Sequence, residues 1–330
     1  MQRREFITLL GGAAVAWPLT AHAQQHERVR RIAFIMNLPE DDVWSKRCVA
    51  AFQKGLAELG WVEGRNVHID YRWATTDPRS TVISVAELVA LAPDVILASA
   101  TEALAACQKA TSTIPIVFVS VSDPVGQGFV TSLERPGGQI TGFSAFEFSM
   151  GGKWMELLKE IEPSIRHVVV LFNPKTAPYF PLFMSSIETA AATFGVKLTP
   201  APVQDFTEIE SVMMSLGSEP NRGMICPSDS YTSTNRKTII TLAARHSIPA
   251  VFAWREFVTD GALICYGFDR VDMYRQSPVY VDRILKGTKP MDLPVQQPTR
   301  FELAINLKTA KAMGLDVPPM LLTRADEVIE

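Results

Sequence analysis

The sequence predicts an α/β protein of two similar lobes, each a doubly wound parallel sheet, joined by a multi-crossing hinge. Apolar strands alternate with amphipathic helices from Arg31 onward, at the short spacing of β-loop-α units. Several strands are continuous apolar runs, which is typical of parallel strands buried on both faces. The alternation of strands and helices is interrupted at Gly137 and Gly138 and then resumes, so the chain contains two successive α/β units.

The first unit opens with the apolar run 32–36, and its first helix ends at Gly60, in the position of a C-cap. The segment 67–71 alternates apolar and polar residues, which indicates a strand. We interpret 140–143 as a segment that crosses toward the second unit. The predicted strands are 32–36, 67–71, 94–98 and 116–119, and the predicted helices are 50–59, 80–91 and 102–111.

The second unit repeats this pattern, and the tail adds two helices separated by the Pro-containing stretch 289–298. One tail helix is expected to return to the first lobe and the last segment to the second. The lobes are then 29–142 plus 269–296 and 143–268 plus 297–330. The predicted strands are 167–172, 196–199, 223–226, 250–253 and 262–266, and the predicted helices are 152–161, 180–194, 207–216, 236–246, 273–286 and 301–313.

The N-terminus has the order of a secretory signal peptide over residues 1–23. Arg3 and Arg4 precede a short apolar run, and Ala21-His22-Ala23 offers a small-x-small cleavage site. The two arginines fit a twin-arginine signal, and a general secretory signal that carries two arginines is the alternative. Since no cysteine follows the apolar run directly, no lipid anchor is expected. We therefore expect a periplasmic or otherwise extracytoplasmic protein.

Composition excludes several classes of partner. The chain is 47% hydrophobic and 20% charged, with a formal net charge of −3. This weakly acidic balance gives no electrostatic footprint for nucleic acid or for an anionic membrane. We expect a monomer whose contact with a membrane complex is peripheral.

The four cysteines lack the spacing of a zinc site. Cys48 and Cys107 fall in helical patterns, and Cys226 and Cys265 fall in strand patterns. Buried free thiols are the preferred interpretation, because a core of this size needs no disulfide. A bridge between Cys226 and Cys265 is the one pairing that merits a test.

Polar residues follow the predicted strands at the points where ligands bind in parallel sheets, outside the carboxyl ends. The turn before the helix at 102–111 can hold a carboxylate at the helix N-terminus, although Thr101 can equally be a plain N-cap. Asp123 and Asp229 are candidates for an ammonium group, or else are turn aspartates bonded to their own backbone. This set suits an amino acid, and an aromatic carboxylate or a small amide would fit similar groups. The candidate ligand-binding residues are Asn37, Ser99, Ala100, Thr101, Ser122, Asp123, Asn173, Asp229, Trp254 and Tyr266.

Aromatic residues near the ends of later strands can sandwich an apolar ligand. Trp254 and Tyr266 are the candidates, together with Phe252, and core packing is the alternative for each ring. No Gly-x-Ser-x-Gly elbow, phosphate loop or His-Glu-x-x-His motif occurs, and the five histidines are scattered. The sequence thus predicts no catalytic residue, no metal site and no cofactor.

Stretches through nearly the whole chain match the pattern of a known family: 3–12, 59–72, 111–118, 123–128, 135–142, 157–163, 254–257, 266–269, 293–298 and 301–330. Over these stretches the chain resembles the ABC transporter substrate-binding proteins of the tryptophan/tyrosine type. The resemblance implies a type I periplasmic binding protein fold and capture of an aromatic amino acid between the lobes. It also implies delivery to a permease with an ATPase, neither of which is in this chain. Ligand contacts would fall on Thr101, Asp123, Asn173, Asp229 and Trp254.

Two other functions remain open at this point. A sensory module that reports ligand occupancy to a membrane partner would use the same two-lobed clamp. An exported enzyme would require an acid/base pair in the cleft, and the sequence offers no local pair of that kind. A DNA-binding repressor of similar core fold is disfavoured, because a signal peptide stands where a helix-turn-helix would be.

Overall fold

A computed structural model of the chain describes residues 28–73, 78–145 and 148–330. The predicted signal peptide at 1–23 lies outside these residues. The described strands form two separate sheets of five and seven strands, in the orders β2-β1-β3-β4-β5 and β12-β11-β10-β9-β8-β6-β7. The prediction of an α/β protein with two sheet-centred lobes is confirmed.

The five-stranded sheet forms the first lobe, and all of its strands are parallel. The first helix begins earlier than predicted, because Asp42 accepts hydrogen bonds from the amides of Trp44 and Ser45 and so caps it. The supposed crossing at 140–143 is instead a strand of this sheet, paired with its neighbour. The elements are β1 (Arg30–Met36), α1 (Val43–Glu58), β2 (Val67–Trp73), α2 (Pro78–Ala90), β3 (Val95–Ser99), α3 (Thr101–Ala110), β4 (Ile116–Val121) and β5 (Ile140–Ser144).

The second lobe repeats the β-α alternation around the seven-stranded sheet. Sequence analysis missed two short helices, which directly follow Asp229 and Trp254. The elements are α4 (Met150–Ile161), β6 (His167–Phe172), α5 (Phe180–Phe194), β7 (Lys197–Pro202), α6 (Phe206–Gly217), β8 (Arg222–Cys226), α7 (Ser230–Thr234), α8 (Arg236–Arg245), β9 (Ala250–Phe252), α9 (Arg255–Thr259) and β10 (Ile264–Phe268).

The tail departs most from expectation. The predicted helix at 273–286 is two helices, and the second begins with Pro278, which suits a first helical turn. The predicted helix at 301–313 is wrong in its first half, which is a strand antiparallel to β10. The elements are α10 (Arg270–Gln276), α11 (Pro278–Leu285), a 3₁₀ turn (Pro290–Asp292), β11 (Phe301–Asn306), α12 (Leu307–Ala312), α13 (Pro319–Arg324) and β12 (Glu327–Ile329).

The chain passes between the lobes after β5, again after β10, and again before β11. The first and last of these passages lie side by side. Ser144 donates its amide hydrogen to the carbonyl of Gln296 at 2.8 Å, and Gln296 donates to the carbonyl of Gly142 at 2.9 Å. The multi-crossing hinge is thus a hydrogen-bonded structure, not a set of independent linkers.

All four cysteines are free and buried. Cys226 in β8 and Cys265 in β10 both have Phe252 of the intervening β9 as their register partner. Two strand spacings place their Cα atoms about 9–10 Å apart, whereas a disulfide needs less than about 7 Å. The bridge that the sequence left open is therefore excluded by strand order.

Thiol titration is expected to find four reactive cysteines in the unfolded chain and almost none in the native one. Each cysteine is at most 1% exposed, and burial raises the pKa of the Cys107 thiol to about 12, so little thiolate is available. Ellman's reagent with and without guanidinium, in the absence of reductant, makes the measurement. Only two thiols after unfolding would reveal a disulfide and contradict the strand assignment.

Candidate functional site

The carboxyl ends of the parallel strands in the two lobes face each other across a cleft. Asn37, just beyond β1, donates from Nδ2 to the Ser230 hydroxyl of the second lobe at 3.2 Å. Asn37 also accepts a hydrogen bond on Oδ1 from Ser99, at the end of β3. Predicted site residues from separate strands are thus brought together, and one of them touches the opposite lobe.

A directed chain of hydrogen bonds crosses this cleft. Because Ser99 donates to Asn37, it accepts from the Tyr274 hydroxyl of α10, with which it is also in contact. Ser230 accepts from Asn37 and in turn bonds the carboxylate of Glu102. The chain therefore starts at a buried phenol and ends at a carboxylate, so every member has a defined donor or acceptor role.

The N-terminus of α3 lies in the same place. Its N-cap is Ala100, which makes no side-chain cap bond and adopts a positive φ of 71°. Thr101 is the first residue inside the helix, so the alternative interpretation of Thr101 as the N-cap is wrong. Ala100 has no side chain that could satisfy the first amides of α3, and only the amide of Glu102 is bonded by that residue's own carboxyl group. The other amides of this helix end are suited to an anion.

Glu102, in the first turn of α3, was missed by the sequence analysis. Burial raises the pKa of its carboxyl to about 7, and the neighbouring Asp229 adds to this effect, while the bond with Ser230 opposes it. An acidic residue in a first helical turn is ordinarily a partner of the helix dipole, so its pattern alone gave no signal. Its environment includes Ser230 and Asp229 of the second lobe, which no local pattern contains.

Asp229 organises the second lobe's side of the cleft. Its carboxylate accepts from the amides of Asn173 at 2.6 Å and Tyr231 at 2.8 Å, and from the Thr176 hydroxyl. Burial raises its pKa to about 6, and these bonds hold the pKa from rising further. Asn173 accepts from the amide of Lys175 at 2.8 Å. Both side chains thus accept hydrogen bonds that hold the loops after β6 and β8 in place.

The turn after β4 gives Ser122 and Asp123 different roles. Ser122 is buried and bonds the hydroxyl of Tyr179 in the second lobe, which itself donates to the Ser228 carbonyl at 2.9 Å. Asp123 accepts from the Gly126 amide at 2.9 Å and is partly exposed. Asp123 therefore adopts the turn-aspartate arrangement, and Tyr179 is a further contact across the lobes.

Trp254 and Tyr266 pack against other side chains. The guanidinium of Arg270 lies 4.0 Å from the centroid of the Trp254 ring, and Phe268 meets that ring edge-on at 4.9 Å. Tyr266 stacks on Phe301 of β11 at 5.8 Å. The prediction that Tyr266 ends its strand was wrong, because β10 continues to Phe268. Phe252 likewise stacks on Phe257 at 4.6 Å, which matches the core-packing alternative.

A buried ionic contact joins the lobes beside this cleft. Arg236 at the start of α8 reaches Asp42 of the first lobe at 2.7 Å and Asp260 of its own lobe at 2.7 Å. The Arg236 side chain is only 5% exposed. We call these three residues the latch. Neither Asp42 nor Arg236 was among the candidates named from the sequence.

In 28–73, 78–145 and 148–330, no helix is long and apolar enough to cross a membrane. The same ranges contain no group of three or more His, Cys, Asp or Glu residues positioned to hold a metal ion.

Known proteins of one family resemble this chain over most of its length. A family model described as ABC transporter substrate binding protein matches residues 35–329. A tyrosine-binding protein of Clostridioides difficile is 27% identical over 264 residues, covering 80% of this chain and 75% of that protein.

Two solved structures share the fold over nearly the whole chain. A conserved domain protein of Vibrio cholerae is 30% identical with a TM-score of 0.84, covering 91% of this chain and 100% of that one. An ABC domain of Streptococcus pneumoniae in complex with L-Trp is 24% identical with a TM-score of 0.83, covering 91% and 99%. The chain belongs to the family of ABC transporter substrate-binding proteins, which are solute receptors and not enzymes.

Proposed function

We propose that this receptor captures an amino acid with an aromatic side chain between its lobes, outside the cytoplasmic membrane, and passes it to an ABC importer. The observation that carries the proposal is the meeting, in one cleft, of a helix N-terminus whose N-cap makes no side-chain bond and of buried carboxyl groups. The first favours a carboxylate and the second favours an ammonium group. An α-amino acid presents these two groups on a single carbon atom.

The aromatic side chain is supported by the relatives. One of them is a tyrosine-binding protein, and another holds L-Trp in its solved structure. Of the candidate residues, we propose that Asn37, Ser99, Ala100, Thr101, Ser122, Asn173 and Asp229 line the cleft. Asp123 would lie at its rim, and Trp254 and Tyr266 would support it from behind.

The wider architecture is proposed along the same lines. The first lobe would comprise 29–142 plus 269–296 and the second 143–268 plus 297–330, with residues 1–23 removed on export. The hydrogen bonds between Gln296 and the β5 backbone join the first and last passages between the lobes. They support the proposal that these two passages move together as the hinge. The ligand-bound monomer would contact the permease and ATPase complex only peripherally, at the membrane surface.

Calorimetric titration of residues 24–330 is expected to give saturable binding of L-tyrosine, L-tryptophan or L-phenylalanine. A ligand at a hundredfold excess over Kd should also stabilise the fold by about 2.7 kcal/mol in a thermal melt. L-leucine and ribose serve as comparison ligands, since one lacks the ring and the other lacks both charged groups. Binding of ribose, with no response to any amino acid, would overturn the proposal.

A further inference from the structure

The carboxyl group of Glu102 has an unusual environment at the boundary between the lobes. It bonds the Ser230 hydroxyl, which belongs to the opposite lobe. Its atom Oε2 is buried and has no hydrogen-bond partner among the described residues. A buried carboxylate oxygen left unpaired is destabilising and rare in native proteins, so such an atom calls for an explanation.

Among the described residues, no cation is paired with this group. The charged neighbour that acts on Glu102 is Asp229, a second acid, which disfavours ionisation of both. The arginines near the cleft are engaged elsewhere: Arg236 pairs with Asp42 and Asp260, and Arg270 pairs with Glu256. Within the part of the chain that the structure describes, the two acids thus have no positive partner, and a positively charged ligand group would complement them.

A space exists beside this carboxyl group. Glu102 lines a small cavity of about 10 Å³, room for one group the size of a water molecule or an ammonium, together with Asn37, Met36 and Trp73. The Trp73 ring stacks on Tyr71 at 5.7 Å, so the ring is held in place. A carboxylate next to an indole suits an ammonium group, which pairs with the first and is attracted by the ring of the second.

We infer that Glu102 is the residue that recognises the ammonium group of the ligand, so that the cleft selects amino acids over carboxylic acids of the same shape. This inference rests on the proposed function, and it replaces Asp123 and Asp229 as the primary partner of the ammonium. Asp229 already accepts three hydrogen bonds from the protein, and Asp123 accepts one from its own turn. Glu102 is the acid with an oxygen to spare.

The test compares Glu102→Gln with the unmodified chain by calorimetry. Two ligands are used, L-tyrosine and its deaminated analogue 3-(4-hydroxyphenyl)propionate. Glutamine keeps the size and the acceptor for Ser230 but removes the charge. We expect L-tyrosine to lose about 30-fold or more in affinity, while the analogue binds both chains equally within about threefold. L-tryptophan and indole-3-propionate replace this pair if L-tyrosine does not bind the unmodified chain.

A matched control is Glu58→Gln, which removes the same charge from an exposed position on α1. It should leave the affinities unchanged. Binding of L-tyrosine to Glu102→Gln within about threefold of the unmodified chain would overturn the inference and leave the proposed function standing. If the unmodified chain binds neither the amino acids nor their deaminated analogues, the proposed ligand class itself fails.

Discussion

Asp42→Asn will weaken amino-acid binding about 30-fold or more, because it breaks the latch that joins the two lobes. Arg236 is buried between Asp42 and Asp260, and the contact with Asp42 is made only when the lobes meet. Removing one partner of a buried ion pair typically costs 2 kcal/mol or more, since the remaining charge is left poorly compensated. That loss falls on the closed state and so reduces affinity. Calorimetry gives the affinity, and small-angle scattering with ligand present gives the degree of closure.

Asparagine is chosen because it still caps α1 through the amides of Trp44 and Ser45. Asp260→Asn is the matched control: it removes a carboxylate from the same arginine, but within one lobe. It should lower the melting temperature more than the affinity. Equal losses of affinity in the two variants would mean that the latch stabilises the second lobe and not the closure.

Gly142→Ala will lower the melting temperature by about 5 °C or more. A Cβ atom at Gly142 would lie 2.1 Å from the carbonyl oxygen of Phe118 and 2.6 Å from its amide nitrogen. These are backbone atoms of the neighbouring strand β4, so no side-chain rotation relieves the clash. The carbonyl of Gly142 also accepts from Gln296 in the hinge, which couples the strand to the passages between the lobes. A loss of about 2–3 kcal/mol corresponds to the expected shift.

Gly138→Ala is the control, because nothing lies within 4 Å of a Cβ atom there. It should melt within about 1 °C of the unmodified chain, by circular dichroism or scanning calorimetry. If Gly142→Ala melts like Gly138→Ala, β5 is not packed against β4 as described, and the first passage of the hinge begins earlier in the chain.

Most elements of the fold could be read from periodicity because their strands are short apolar runs flanked by turns. The strand His167–Phe172 and the helix Phe180–Phe194 have their predicted bounds. Phe301–Asn306 was predicted to be helical, but the structure shows a strand in which five of six residues are buried. A segment without regular alternation of polar and apolar residues fits both types of element. Its strand character comes from pairing with β10, which no local pattern contains.

The site was partly predictable for the same reason. Residues at strand ends, such as Asn37 and Ser99, could be named because parallel strands end at a common edge. Glu102 and Arg236 could not, because each acquires its environment from the opposite lobe. From local sequence alone, a single acid in a helix and a single arginine after a turn are both predicted to be exposed to solvent. Trp254, at the end of a strand, was an attractive ligand contact, but Arg270 covers its ring.

The buried Glu102 carboxyl makes closure of the empty cleft a reaction that takes up a proton. Burial between the lobes raises the pKa of this carboxyl to about 7, and we expect the pKa to return toward its ordinary value of 4.5 when the lobes separate. The closed form would then bind the extra proton between these two pH values. Acidification therefore shifts the empty chain toward closure, and alkalinity shifts it toward opening. An ammonium group from the ligand takes the place of that proton. Protons in the surrounding compartment would then compete with the ligand for the Glu102 carboxyl group, because protonation favours closure of the protein without ligand.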